Sequence, residues 1–142
     1  MTRIRLVTVG ALLFAVASVA VASANYAERD VTARGGKLPM LTQPKAKHHA
    51  RTATRGKFGN AFDYGMGKKV GCGNRLSRVR IRCKVKWYLG DVGYRGHVTV
   101  YYRWKRGDVW WFTKGDFKVI NSYCMVEGGS RSECTDHKNW GK

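Results

Sequence analysis

The sequence predicts an α+β fold, with a short N-terminal helix packed on a four- to five-stranded antiparallel meander stapled by two disulfides. Three observations predict it. From Lys68 onward apolar and polar residues alternate, as in "VRIRCKVKWY" (79–88), and a period of two belongs to strands with one buried face. Gly-containing turns interrupt that alternation about every ten residues, the spacing of consecutive hairpins. Four cysteines follow an export-like leader, a combination that favours disulfides.

The leader is residues 1–24. Arg3 and Arg5 form a positive start, "LVTVGALLFAVASVAVASA" (6–24) is apolar, and Ala22-Ser23-Ala24 has the small-x-small form of a signal-peptidase site. The run is about long enough to span a bilayer. The chain nevertheless turns polar at Asn25 with no basic stop-transfer cluster behind it, so cleavage after Ala24 and secretion are the expectation. The first cysteine is Cys72 and the two arginines are not adjacent, which argues against a lipoprotein and a twin-arginine signal. Of the 27 Lys and Arg, 25 lie beyond the leader, against 9 Asp and Glu. The remaining chain is therefore strongly basic and large enough for one small domain.

Residues 25–54 read as a basic disordered arm. They hold both prolines (Pro39, Pro44), a Gly pair and "KAKHHARTAT", and too little apolar surface to offset the entropy of ordering. A stripe of Ala50, Ala53, Lys57/Phe58, Ala61/Phe62 and Gly65/Met66 at three- and four-residue steps predicts a short helix near 57–66, although Gly56, Gly59 and Gly65 each weaken it by about 1 kcal/mol. The α+β domain then occupies 55–136, followed by a tail at 137–142. Strands are predicted at 70–76 and 79–89 around a turn at Ser77-Arg78, and at 94–105 after a turn at 90–93. The turn at Arg106-Gly107 leads into 109–113, with a last strand at 116–123.

Hairpin symmetry pairs the cysteines. Cys72 and Cys83 are equidistant from the 77–78 turn, and Cys124 and Cys134 flank Gly128-Gly129-Ser130. Opposed cysteines in a hairpin meet the roughly 4.4–6.8 Å Cα spacing of a disulfide. No pair has the C-x₂₋₄-C spacing of a zinc site, so neither a metal nor another cofactor is expected. Two bridges suit a domain whose core alone supplies about 3–5 kcal/mol.

Taking the 90–93 turn as four residues pairs Leu89 with Tyr94 and sends Cys83, Val85, Trp87, Val98 and Val100 to one face. The other face then carries Arg80, Arg82, Lys84, Lys86, Tyr88, Arg95, His97, Tyr101 and Arg103 with no carboxylate from these two strands. A two-residue turn at 106–107 adds Trp110 and Phe112 to that face; a three-residue turn sends them to the core with Trp104. Like charges opposed across strands cost roughly 0.2–1 kcal/mol per pair, and a solubility surface mixes signs. Cations with interleaved aromatics instead suit an extended anionic partner. The expected partner is an anionic polymer, nucleic acid or a cell-envelope polyanion, with peripheral contact to an anionic membrane as a further route.

Two other readings compete. One is a small secreted ribonuclease-like hydrolase, which requires paired acid–base groups near a phosphate-binding cation. His97 is its candidate, since His48 and His49 fall in the arm and His137 in the tail. "GMGKKVG" (65–71) lacks the phosphate-loop form and leads into a strand. The other is a structural or inhibitory domain whose charge is incidental.

The array Val70-x-Cys72, "RVRIRCKVKW" (78–87), Gly90-Asp91, Tyr94-x-Gly96 and Val98 resembles small exported β-rich disulfide proteins of actinobacteria that have no assigned function. The resemblance covers about residues 70–98 and implies a secreted disulfide-bearing β-domain. A helix over an antiparallel sheet is also similar to cystatin architecture, which speaks to fold alone.

Overall fold

A computed structural model describes residues 28–31 and 37–141; the leader and its cleavage point lie outside them. The fold is α+β. The elements in order are β1 (Glu28–Val31), α1 (Gln43–Phe58), α2 (Asn60–Asp63), β2 (Met66–Ser77), β3 (Arg80–Leu89), β4 (Val92–Lys105), β5 (Asp108–Asn121), α3 (Ser122–Val126) and β6 (Thr135–Trp140). One antiparallel sheet has the order β1-β5-β4-β3-β2. β6 pairs with the second half of β5, on the edge whose first half takes β1.

The main helix begins 14 residues before the predicted one. Residues 43–54, assigned to a disordered arm, form the body of α1. Pro44 sits in the first turn, where its missing N–H costs no hydrogen bond. The buried residues Ala46, His49, Ala50, Ala53 and Thr54 make one face. That face is built of small side chains, which is why its hydropathy looks weak in the sequence. The bulk comes from the sheet, and the helix backbone settles close to it: Cys83 Sγ lies 3.8 Å from Ala46 O, and the His49 ring stacks on Trp111 at 4.4 Å. The segment before the helix is tied in as well. Leu41 is fully buried, and its N–H donates to Arg78 O at 3.0 Å.

An aromatic cluster closes the other end of the core. Phe58, the last residue of α1, lies 5.0 Å from both Trp87 and Phe117 between ring centroids. Trp87 stacks on Tyr94 at 4.5 Å and donates its indole N–H to Ala61 O at 2.8 Å, which pins α2 to the sheet. Trp140 covers Gly115, where a side chain would collide with its ring, and stacks on Phe117. The predicted tail 137–142 thus contributes β6, and the two strands expected at 109–113 and 116–123 are one continuous β5.

The β3–β4 and β4–β5 turns each contain two residues. Gly90 (φ +55°) with Asp91 joins Leu89 to Val92, in place of the four-residue turn at 90–93. Arg106 (φ +53°) and Gly107 (φ +79°) join Lys105 to Asp108, both central residues having the positive φ of a type I′ turn. The first correction moves the β3–β4 register by two residues, which preserves the face of every side chain. Trp104, whose parity placed it in the core, is 38 % exposed where β4 runs out toward the 106–107 turn.

Both predicted disulfides form, Cys72–Cys83 and Cys124–Cys134. The β2–β3 turn falls one residue later than expected, and irregularities between Gly71 and Ser77 absorb the shift.

Candidate polyanion-binding face

The helices cover one side of the sheet; the other side is the candidate site. Ladder pairing orders its side chains into rows two residues apart along each strand, about 6.8 Å at 3.4 Å per residue. The first row is Met66, Tyr88, Gly93 and Ile120. The second is Lys69, Lys86, Arg95 and Lys118, four cations directly opposite one another on four adjacent strands. The third is Gly71, Lys84, His97, Asp116 and Asn139. Asn74, Arg82, Thr99 and Lys114 make the fourth, and Ser77, Arg80, Tyr101 and Phe112 the fifth. Arg103 and Trp110 follow on β4 and β5.

All nine residues predicted for this face lie on it, because parity survives a two-residue change of register. Their neighbours differ from those predicted. Lys86 stands between Lys69 and Arg95, where His97 was expected beside it, and Arg80 stands beside Tyr101 instead of Arg103. Lys69, Lys114 and Lys118 also lie on this face, unpredicted because the sequence does not register β2 and β5 against β3 and β4. Asp116 is unpredicted for the same reason. Within the rows from Tyr88 to Arg103, Asp116 is the one carboxylate among the described residues. With its NH₂ turned toward Asp116, Asn139 donates to Oδ1 at 3.0 Å.

The second and third rows enclose a basin of about 550 Å³, lined by Lys69, Gly71, Lys84, Lys86, Arg95 and His97 with backbone at Val85 and Gly96. Gly71 opens it by contributing no side chain to its row, and nothing lies within 4 Å of where its Cβ would be. A second basin of about 310 Å³ adjoins it toward Tyr88 and Gly93 and shares Lys69, Lys86 and Arg95. The pKa of His97 lies below its ordinary value. Partial desolvation is the main cause, Arg82 and Lys84 add to it by repulsion, and Asp116 opposes them.

Aromatic rings flank the cations at both ends. Tyr88 is 47 % exposed and leans on Gly67, where a Cβ would fall 2.5 Å from its Cε1. At the far end Tyr101 and Phe112 lie nearly parallel, 5.9 Å apart and inclined by 18°. The Arg103 guanidinium sits 5.0 Å from the Tyr101 ring, and Lys105 Nζ lies 5.3 Å from Trp110 and 5.9 Å from Phe112. The two-residue turn at 106–107 thus places Trp110 and Phe112 on this face. The Trp110 indole nitrogen is covered and meets no acceptor among the described residues.

The histidines do not converge. His97 has Asp116 as its β5 neighbour, whereas His137 pairs with Lys118 on β6. His48 and His49 are on α1, on the opposite side of the sheet, and the arm assignment for them is corrected accordingly. No group of three or more His, Cys, Asp or Glu suited to a metal ion occurs among the described residues. Comparison with family models, with curated proteins and with solved structures found no match.

Proposed function

We propose that this protein is an exported, non-enzymatic module that binds an anionic polymer through the outer face of its sheet. One observation carries the reading: Lys69, Lys86, Arg95 and Lys118 stand directly opposite one another across four strands. Each such contact costs roughly 0.2–1 kcal/mol, and alternating signs would remove that cost without disturbing the core. A row of phosphates offsets it, because each neutralised phosphate releases condensed counterions. Export is supported by the pairing of all four cysteines and by the leader sequence. No helix among the described residues is long and apolar enough to cross a membrane.

The hydrolase alternative rests on His97 facing Asp116 beside the cationic basin. It requires a second acid–base group in reach of the same phosphate, and it predicts RNA turnover that His97→Gln abolishes.

The test is equilibrium binding of the purified chain to an oligonucleotide, to inorganic polyphosphate and to anionic lipid vesicles, at salt from roughly 50 to 200 mM. Binding to at least one of them, weakening steeply as salt rises, is the expected result. Failure to bind any of them, or binding indifferent to salt, overturns the reading.

A further inference from the structure

We infer that the anionic polymer is a single-stranded nucleic acid, its backbone held by the cation rows and its bases stacked on the rings at either end. The inference rests on the polyanion reading and adds the ligand's chemistry to it. Phosphate recognition alone accounts for the cations but leaves the rings without a purpose. Tyr88 is about half exposed and held in place against Gly67. Tyr101 is held beside its near-parallel neighbour Phe112, 5.9 Å away, with the Arg103 guanidinium 5.0 Å from its ring. Rings held this way lose little freedom when a base docks, which favours stacking.

Spacing supports the same ligand. Tyr88 is level with Gly93 on β4, eight residues from Tyr101, so the two ring sites stand about 27 Å apart at 3.4 Å per residue. Between them run the four-cation row, the mixed row of Lys84, His97 and Asp116, the row holding Arg82 and Lys114, and the basin that Gly71 helps to line. An extended single strand of several nucleotides spans that distance with phosphates over the cations and a base at each end. A duplex keeps its bases stacked on one another and offers the rings nothing. Polyphosphate and polyol phosphates carry charge but no π-face. Arg103 and Lys105, already beside the rings, serve the flanking phosphates.

The test uses the full chain and four probes: a single-stranded oligothymidylate, an abasic oligomer of equal length and charge, the corresponding duplex, and inorganic polyphosphate. The single strand is expected to bind at least fivefold tighter than the abasic oligomer, the low end of one base–aromatic stack. Tyr88→Leu and Tyr101→Leu, each checked for retained folding by circular dichroism, are expected to narrow stepwise the ratio of single-strand to abasic affinity. If abasic oligomer, polyphosphate or duplex binds as tightly as the single strand, the inference is overturned while the polyanion reading stands. If none of the four binds, the inference is overturned, and if the anionic vesicles are not bound either, the polyanion reading itself fails.

Discussion

Replacing Lys86 by Glu changes the centre of the cation row. Lys86 faces Lys69 on one side and Arg95 on the other, so two repulsive contacts become attractive ones. A directly opposed like pair costs roughly 0.2–1 kcal/mol and an opposite pair returns a similar amount. Coulomb's law in water gives the same scale, about 0.7 kcal/mol for unit charges roughly 6 Å apart. Reversing both contacts therefore amounts to about 0.8–4 kcal/mol. These side chains are exposed, and exposed pairs fall at the low end, so a gain of about 1 kcal/mol is expected. In a domain of this size that raises Tm by roughly 4–8 °C. Thermal melts at low salt should show the increase. Melts near 1 M salt should show little of it, since the screening length is then about 3 Å. The same variant should bind polyanions more weakly. A Tm that is unchanged or lower at low salt would refute the claim that the fold holds this row against its own repulsion.

The protonated form of His97 is disfavoured by partial desolvation and by Arg82 and Lys84, so the unfolded chain binds more protons between the depressed native pKa and the ordinary value near 6.5. Its contribution to stability is complete above that ordinary value and is lost as pH falls through the native pKa; urea titrations over this range should show the loss, and His97→Gln should reduce it. A bound phosphate favours the protonated ring, so affinity should rise between about pH 7.5 and 5.5, and anisotropy measurements on His97→Gln should lack that increment. Gly96→Ala should cost about 1–3 kcal/mol by overpacking, because its Cβ would meet the Asp116 carbonyl oxygen and the Phe117 ring. Gly71→Ala, with open space around it, should stay within about 0.5 kcal/mol of the parent by chemical denaturation.

Face assignment was legible because a strand's side-chain parity is a local property. The alternation in "VRIRCKVKWY" put Ile81, Cys83, Val85 and Trp87 inside and Arg80, Arg82, Lys84 and Lys86 outside, whichever two-residue register the turn adopted. Lateral neighbours depend on turn length instead, and Gly90-Asp91-Val92-Gly93 contains both a two- and a four-residue solution. The pairing of Lys86 with Arg95 was hidden for that reason, and Lys69 and Lys118 were hidden because the sequence did not register β2 and β5 against β3 and β4. α1 was hidden for another. Its buried face is Ala46, His49, Ala50, Ala53 and Thr54, which resembles polar linker until Tyr102 and Trp111 supply the apolar surface it rests on. β6 was obscured likewise, since "TDHKNW" has no apolar alternation and is held by β5 pairing and by Trp140 over Gly115 and Phe117.

The most direct measurement of the central claim is the salt dependence of oligonucleotide binding by the full chain and by Lys69→Gln/Lys86→Gln/Arg95→Gln/Lys118→Gln. The basic residues before α1 are present in both proteins, so any difference between the two slopes belongs to the sheet face. Each phosphate contact contributes about −0.7 to the log–log slope on a single strand. The variant's slope is expected to be shallower by about 0.7 for each phosphate the row contacts, and its affinity near physiological salt to be much reduced. A variant that remains folded and keeps the parent's slope contradicts the account, and the row is then a solvated surface.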